Sequence, residues 1–150
     1  MQRQVAEDDL RRVVSDVWLS LFELKTDNTN HHADRLERVP CYSSYVNITG
    51  VFNGGVSVKT TAEHLRSMAS YIFEREPTDI KKREIKDIIG ELSNLIGGHV
   101  KSLLADDCNL SLPYVIGSKD PHIIVPEPKV LQSVIVEAKN EPIKVVFFRN

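Results

Sequence analysis

From Val5 to Leu24, apolar residues fall at Leu10, Val13, Val14, Val17, Leu21 and Leu24, the three-and-four spacing of one helix face. The pattern predicts a first amphipathic helix. Between Lys25 and Pro40 the chain turns polar, with Asn28, Asn30, His31, His32 and Asp34 and no sustained period, so it reads as a long loop or mobile connection. Tyr45 to Gly50 and Val56 to Thr60 are rich in β-branched and alternating residues and flank Asn53-Gly54-Gly55, a strong turn signal, and together predict a hairpin. Thr60 precedes Glu63 at capping-box spacing, and Leu65, Met68, Ala69, Ile72 and Phe73 form a second helical stripe ending before Pro77.

A third and longer helix is expected from about Asp79 to Ala105, with Ile85, Ile88, Ile89, Leu92, Leu95, Ile96, Val100 and Leu103 on its buried face; such a helix is roughly 40 Å long. Leu110 to Ile116, His122 to Val125, Val130 to Lys139 and Ile143 to Phe148 then read as strands. Gly117, Pro121, Pro126, Pro128 and Asn140-Glu141-Pro142 separate them. Strands joined by turns rather than helices make a largely antiparallel sheet. The expected fold class is therefore α+β, with three helices, the long one included, packed on one sheet face.

That long helix breaks a rule. A helical glycine costs about 1 kcal/mol relative to alanine, yet Gly90, Gly97 and Gly98 stand in its interior. At about 100° per residue, Gly90, Ser93 and Gly97 share one edge beside the apolar stripe, where missing side chains would admit another helix. Asp87, Glu91, Asn94, Gly98 and Lys101 form the opposite face, which meets solvent or a partner. Glu91 and Asn94 are three apart and hence surface neighbours. An acid and an amide together can grip a cation and orient a water. By spacing alone, though, such a pair is an ordinary piece of helix surface.

Length and charge narrow the function classes. The 150 residues at 17.0 kDa, 41% hydrophobic and 27% charged, suit a single domain spanning 1–150 with one core. A formal net charge of −2 and pI near 6.2 supply no basic stripe, so no nucleic-acid partner is expected. Apolar runs such as Ile123 to Val125 and Val145 to Phe148 fall far short of the roughly 20 residues of a membrane helix. No membrane partner is expected either. The start, Met-Gln-Arg-Gln-Val before Glu7, Asp8 and Asp9, lacks an export signal, and a cytoplasmic protein is expected. Cys41 and Cys108 have no paired spacing, which points to free thiols rather than a structural disulfide. His31, His32 and Asp34 do not make the three or four converging ligands of a metal site; a solvated loop is the reading. His64, His99 and His122 read as packed or surface histidines, and no Ser-His-Asp set or phosphate loop stands out.

The run Asp87-Ile88-Ile89-Gly90-Glu91-Leu92-Ser93-Asn94-Leu95-Ile96-Gly97-Gly98 resembles the signature helix of the CheC/CheX/FliY family, phosphatases of the phosphorylated chemotaxis response regulator. Val46-Asn47-Ile48-Thr49-Gly50 through Gly55-Val56-Ser57-Val58, followed by Thr60 to Leu65, resembles the family's hairpin. Leu112-Pro113-Tyr114-Val115-Ile116-Gly117 resembles the strand after the signature helix. Aligning the first helix with the signature puts Asp16 opposite Glu91 and Leu19 opposite Asn94. With no amide in the first half, the single late site is similar to the CheX arrangement.

The resemblance implies hydrolysis of the aspartyl phosphate on a receiver domain of the CheY type. Asn94 would orient the attacking water and Glu91 would pair with the receiver's lysine, while Asp87, Gly97 and Gly98 lie where the partner would dock. No cofactor of its own is implied, since Mg²⁺ is held by the receiver substrate. A homodimer built by strand exchange is implied as well. A non-catalytic receiver-binding or flagellar-switch adaptor is the alternative, and a receiver of another two-component system is a further possible substrate. The polar stretch from Lys25 to Pro40 and the phenylalanine-rich C-terminus depart from the family pattern.

Overall fold

The computed structural model describes residues 4–28, 30–104, 107–117 and 129–150. Helix α1 spans Glu7–Phe22. Glu7, Asp8 and Asp9 place negative charge on its first turn, where it complements the helix dipole, and Asp9 Oδ2 accepts a 2.9 Å hydrogen bond from the Ala6 amide. Leu10, Val13, Val14, Val17, Trp18 and Phe22 are buried. Trp18 and Phe22, which the predicted stripe did not include, are buried, whereas Leu21 on that stripe is exposed.

The stretch from Lys25 to Pro40 is not simply a loop. Asp27 forms a backbone bridge with Glu137, and a short helix α2 covers Arg35–Arg38, with Leu36 buried. Strand β1 follows at once, Cys41–Gly50, four residues earlier than the alternating pattern indicates. Its hairpin partner β2 covers Gly54–Thr61. Gly54 and Gly55 lie in β2 itself, the turn being made by 51–53.

Helix α3, Ala62–Phe73, is capped by Thr61, whose Oγ1 accepts the His64 amide at 3.0 Å. Thr60, the residue the capping-box spacing selects, instead donates to the Pro142 carbonyl at 2.8 Å. A 3₁₀ turn at Pro77–Asp79 precedes helix α4, Lys82–Leu104. The long helix therefore starts three residues later than expected, because Pro77 opens a separate turn and Glu84 Oε1 accepts the Lys81 amide at 3.0 Å.

Beyond α4, the single strand expected from Leu110 to Ile116 is two short ones, β3 at Cys108–Leu110 and β4 at Tyr114–Ile116. Pro113 has no amide hydrogen to give a ladder. Expected strand His122 to Val125 lies outside the described residues. Strands β5, Lys129–Ala138, and β6, Glu141–Arg149, close the chain. Lys139 and Asn140 both take left-handed backbone (φ 50 and 64), the two-residue turn that matches the strands' twist.

All pairings are antiparallel, in the order β3-β1-β2-β6-β5, with β4 also on β1. Alternate residues Val46 and Ile48, Val56 and Val58, Val134 and Val136, and Ile143 and Val145 are buried, the period of two that puts one sheet face in the core. They form one cluster with the apolar faces of α1, α3 and α4. The fold is α+β, with an antiparallel sheet and, among the described residues, three helices of more than one turn.

Candidate functional site

Helix α4 packs mainly on β1 and β2. Its glycine edge therefore faces a strand, not the helix expected from the spacing. A β-carbon on Gly97 would overlap Val46 Cγ2 of β1 and lie 3.2 Å from Leu110 Cδ1. One turn earlier, buried Ser93 pairs with buried Ser44 of β1, Oγ to Oγ at 2.6 Å, and Ser93 Oγ donates to the Gly90 carbonyl at 2.9 Å. Hydroxyl bonds have direction, so this pair fixes how α4 is rotated on the sheet.

That rotation turns the other face outward. Glu91 and Asp87 are exposed, while Asn94, Gly98 and Lys101 are half-buried. Residues three apart on a helix are about 60° apart around its axis, so Glu91 and Asn94 lie side by side. Among the described residues, no hydrogen bond or ion pair engages the side chain of Asp87, Glu91 or Asn94. Gly98 follows on the same face, and a β-carbon there would meet nothing within 4 Å. Of the five site residues implied by the resemblance, Asp87, Glu91, Asn94 and Gly98 lie on this outward face, whereas Gly97 is buried against β1.

The segment after α4 runs back along the Asn94 side of this face. Leu110 lies against Gly97; Pro113 Cγ and Val115 Cγ2 lie 3.6 and 3.4 Å from the β-carbon position of Gly90. Sequence reasoning did not single out Ser44 or Pro113 as supports. The signal for Ser44 is its in-phase place between Tyr42 and Val46 on an otherwise apolar strand face.

The sequence profile of the family described as "Chemotaxis phosphatase CheX" matches residues 42–139, which include the whole exposed pair and its supports. The chain belongs to the CheX family. Its fold is shared by the CheX chemotaxis protein of Vibrio vulnificus, at TM-score 0.76 and 16% identity over 98% of this chain and 99% of that one. CheX in a CheX–CheY–BeF₃–Mg²⁺ complex from Borrelia burgdorferi superposes with TM-score 0.67 and 16% identity, covering 98% and 100%. FliY of Thermotoga maritima is more distant, at 0.57 and 12%, covering 95% and 89%. None of the curated proteins matches the chain by sequence.

His64, His32 and Glu137 have structural roles. Trp18 Nε1 donates to His64 Nε2 at 3.0 Å, both buried; burial, helped by Lys139, lowers the His64 pKa to about 4. The acceptor nitrogen must be unprotonated, so His64 holds this bond as the neutral ring. His32 donates its amide to Glu137 Oε1 at 2.6 Å, and its Nδ1 lies 3.2 Å from Oε2. His32 thus ties the polar connection to β5 while its ring stays 41% exposed, and His31 is exposed. Burial alone would raise the Glu137 pKa, but these His32 contacts outweigh it and hold the carboxyl low. His99 is exposed, and His122 lies outside the described residues. Cys41 and Cys108 are free and buried. Among the described residues, no three His, Cys, Asp or Glu groups are placed to hold a metal, and no helix is long and apolar enough to cross a membrane.

Proposed function

We propose that this CheX-family protein accelerates hydrolysis of the aspartyl phosphate on a CheY-type receiver domain in the cytoplasm. The observation that carries the proposal is the Glu91/Asn94 pair, adjacent on the exposed face of α4, with neither side chain engaged by another among the described residues. In this reading, the receiver supplies the phosphoaspartate and the Mg²⁺ bound beside it, and both belong to the substrate. Asn94 enters the phosphorylation site, accepting a hydrogen bond from the attacking water through its carbonyl while its NH₂ donates to the substrate; an amide has both capacities. The water oxygen forms a bond to phosphorus as the phosphorus–carboxylate oxygen bond breaks, giving inorganic phosphate and a free aspartate. Glu91 pairs with the receiver's lysine and fixes the approach. Asp87 and Gly98 lie on the docking face, charge beside bare helix.

The energetic demand is small. A hundredfold acceleration requires about 2.7 kcal/mol, within what orienting a water on a reactive acyl phosphate supplies. No nucleophile or metal of the protein's own enters the scheme.

A homodimer formed by strand exchange belongs to the same proposal. It is supported by β5, which ends the strand order and, toward Lys129, has no outer partner strand among the described residues; such an edge is a template for another chain. Sedimentation is expected to give twice the 17.0 kDa chain mass, and a monomer at micromolar concentration would remove this part.

The decisive experiment follows decay of phosphorylated, Mg²⁺-bound receiver with and without the protein, with Asn94→Ala as control. Faster decay that disappears in the variant is the expected result. Binding without acceleration would make the protein an adaptor, and acceleration retained by the variant would move the chemistry away from Asn94.

A further inference from the structure

We propose that Leu112 is a receiver-docking residue, packing on an apolar side chain at the rim of the receiver's phosphorylation site. The inference rests on the phosphatase reading and adds an apolar contact to its polar pair.

Leu112 is 85% exposed, the most of any large hydrophobic side chain among the described residues. An unanchored loop could explain such exposure, but here the backbone on both sides is held. The Ser111 amide donates to the Asn47 carbonyl at 2.9 Å, and Ser111 Oγ accepts the Asn47 amide at 2.9 Å. Ser111 Oγ also donates to the carbonyl of Leu112 itself at 2.9 Å. On the other side, Pro113 has a fixed φ and rests on Gly90, while Tyr114 opens β4 and stacks on Tyr45, ring centres 4.9 Å apart. Leu112 is therefore presented on an anchored backbone, and its side chain adds nothing to the core.

Its level along α4 places it next to the proposed receiver site. Leu110 meets Gly97, and Pro113 meets Gly90, so the segment runs antiparallel to the helix. Leu112 falls between these two levels, beside the turn that carries Ser93 and Asn94. In this proposal, a domain whose phosphoaspartate reaches Asn94 meets this leucine at the same level of α4. Bare Gly98 on the same face leaves no side chain to hold the partner away. The apolar contact is continuous with the polar one, and burying it on docking removes hydrocarbon surface from water. Such a contact is made equally with ground state and transition state, so it acts on binding and not on the chemical step.

The test measures affinity for a beryllofluoride- and Mg²⁺-loaded receiver, together with KM and kcat on the phosphorylated one, across the receiver domains of the same organism. For Leu112→Gln, Kd and KM are expected to rise roughly tenfold, equivalent to about 1.4 kcal/mol, with kcat, thermal midpoint and sedimentation unchanged. Leu112→Met is expected to restore both constants. Wild-type and Asn94→Ala proteins in the same assay separate the two readings. If wild type accelerates decay and Asn94→Ala does not, but Leu112→Gln matches wild type, this inference fails alone. A fall in kcat at constant KM also overturns it, as does a change in sedimented mass, which would assign Leu112 to a contact between copies. Wild type without effect on any receiver overturns both readings.

Discussion

Asn94 is half-buried on α4, and Glu91 is exposed. The two substitutions should therefore separate. Asn94→Ala is expected to remove at least about 2.7 kcal/mol of transition-state stabilisation, a hundredfold in rate, with an unchanged urea midpoint. Glu91→Ala should lower kcat/KM roughly tenfold by weakening receiver pairing, and an unchanged kcat/KM would remove Glu91 from the site. His64 gives a pH dependence. Its folded pKa, about 4, lies below the unfolded value of roughly 6.5, so the unfolded chain binds the proton more readily. The stability it confers is whole above pH 6.5 and falls by about 3 kcal/mol as pH drops toward 4. Urea unfolding at pH 7 and 4.5 checks this, and His64→Gln should flatten the difference. The histidine's neutrality was not legible in sequence, because Trp18 is 46 positions away.

Two glycines of α4, adjacent in sequence, should respond oppositely to the same substitution. Gly97→Ala drives a methyl into Val46 and is expected to cost about 1–3 kcal/mol through strain at the helix–strand contact. Gly98→Ala meets open space and should gain up to about 1 kcal/mol from helix propensity. Thermal melts of the two variants decide the point; equal shifts would contradict this packing. If Gly98 belongs to the docking face, a bulky Gly98→Leu should in addition raise KM. Helical periodicity made both glycines visible as anomalies, and placed Gly98 correctly on the open face. It misjudged what fills the Gly97 edge, since a wheel shows which edge is thin but not whether a helix or a strand approaches it.

Across the whole molecule, Glu137 joins distant parts of the chain. Its backbone exchanges two hydrogen bonds with Asp27, at 2.8 and 2.9 Å, and its carboxylate holds His32. Glu137→Ala is expected to cost roughly 2 kcal/mol, as for charge-assisted hydrogen bonds, and to open the 25–40 stretch to limited proteolysis; an unchanged digestion pattern would dissociate the tether from this contact. By itself the sequence determined the three long helices, most strands, the α+β class and the outward Glu91/Asn94 pair. These follow from periods of 3.6 and 2 and from local turn chemistry, which act over a few residues. Only the tertiary structure decided that Ser44 locks Ser93, that Val46 fills the place of a Gly97 side chain, that His32 binds Glu137, and that Pro113 rests against Gly90. Each of these joins residues far apart in sequence or on different elements, and it is burial of one shared core that brings them together.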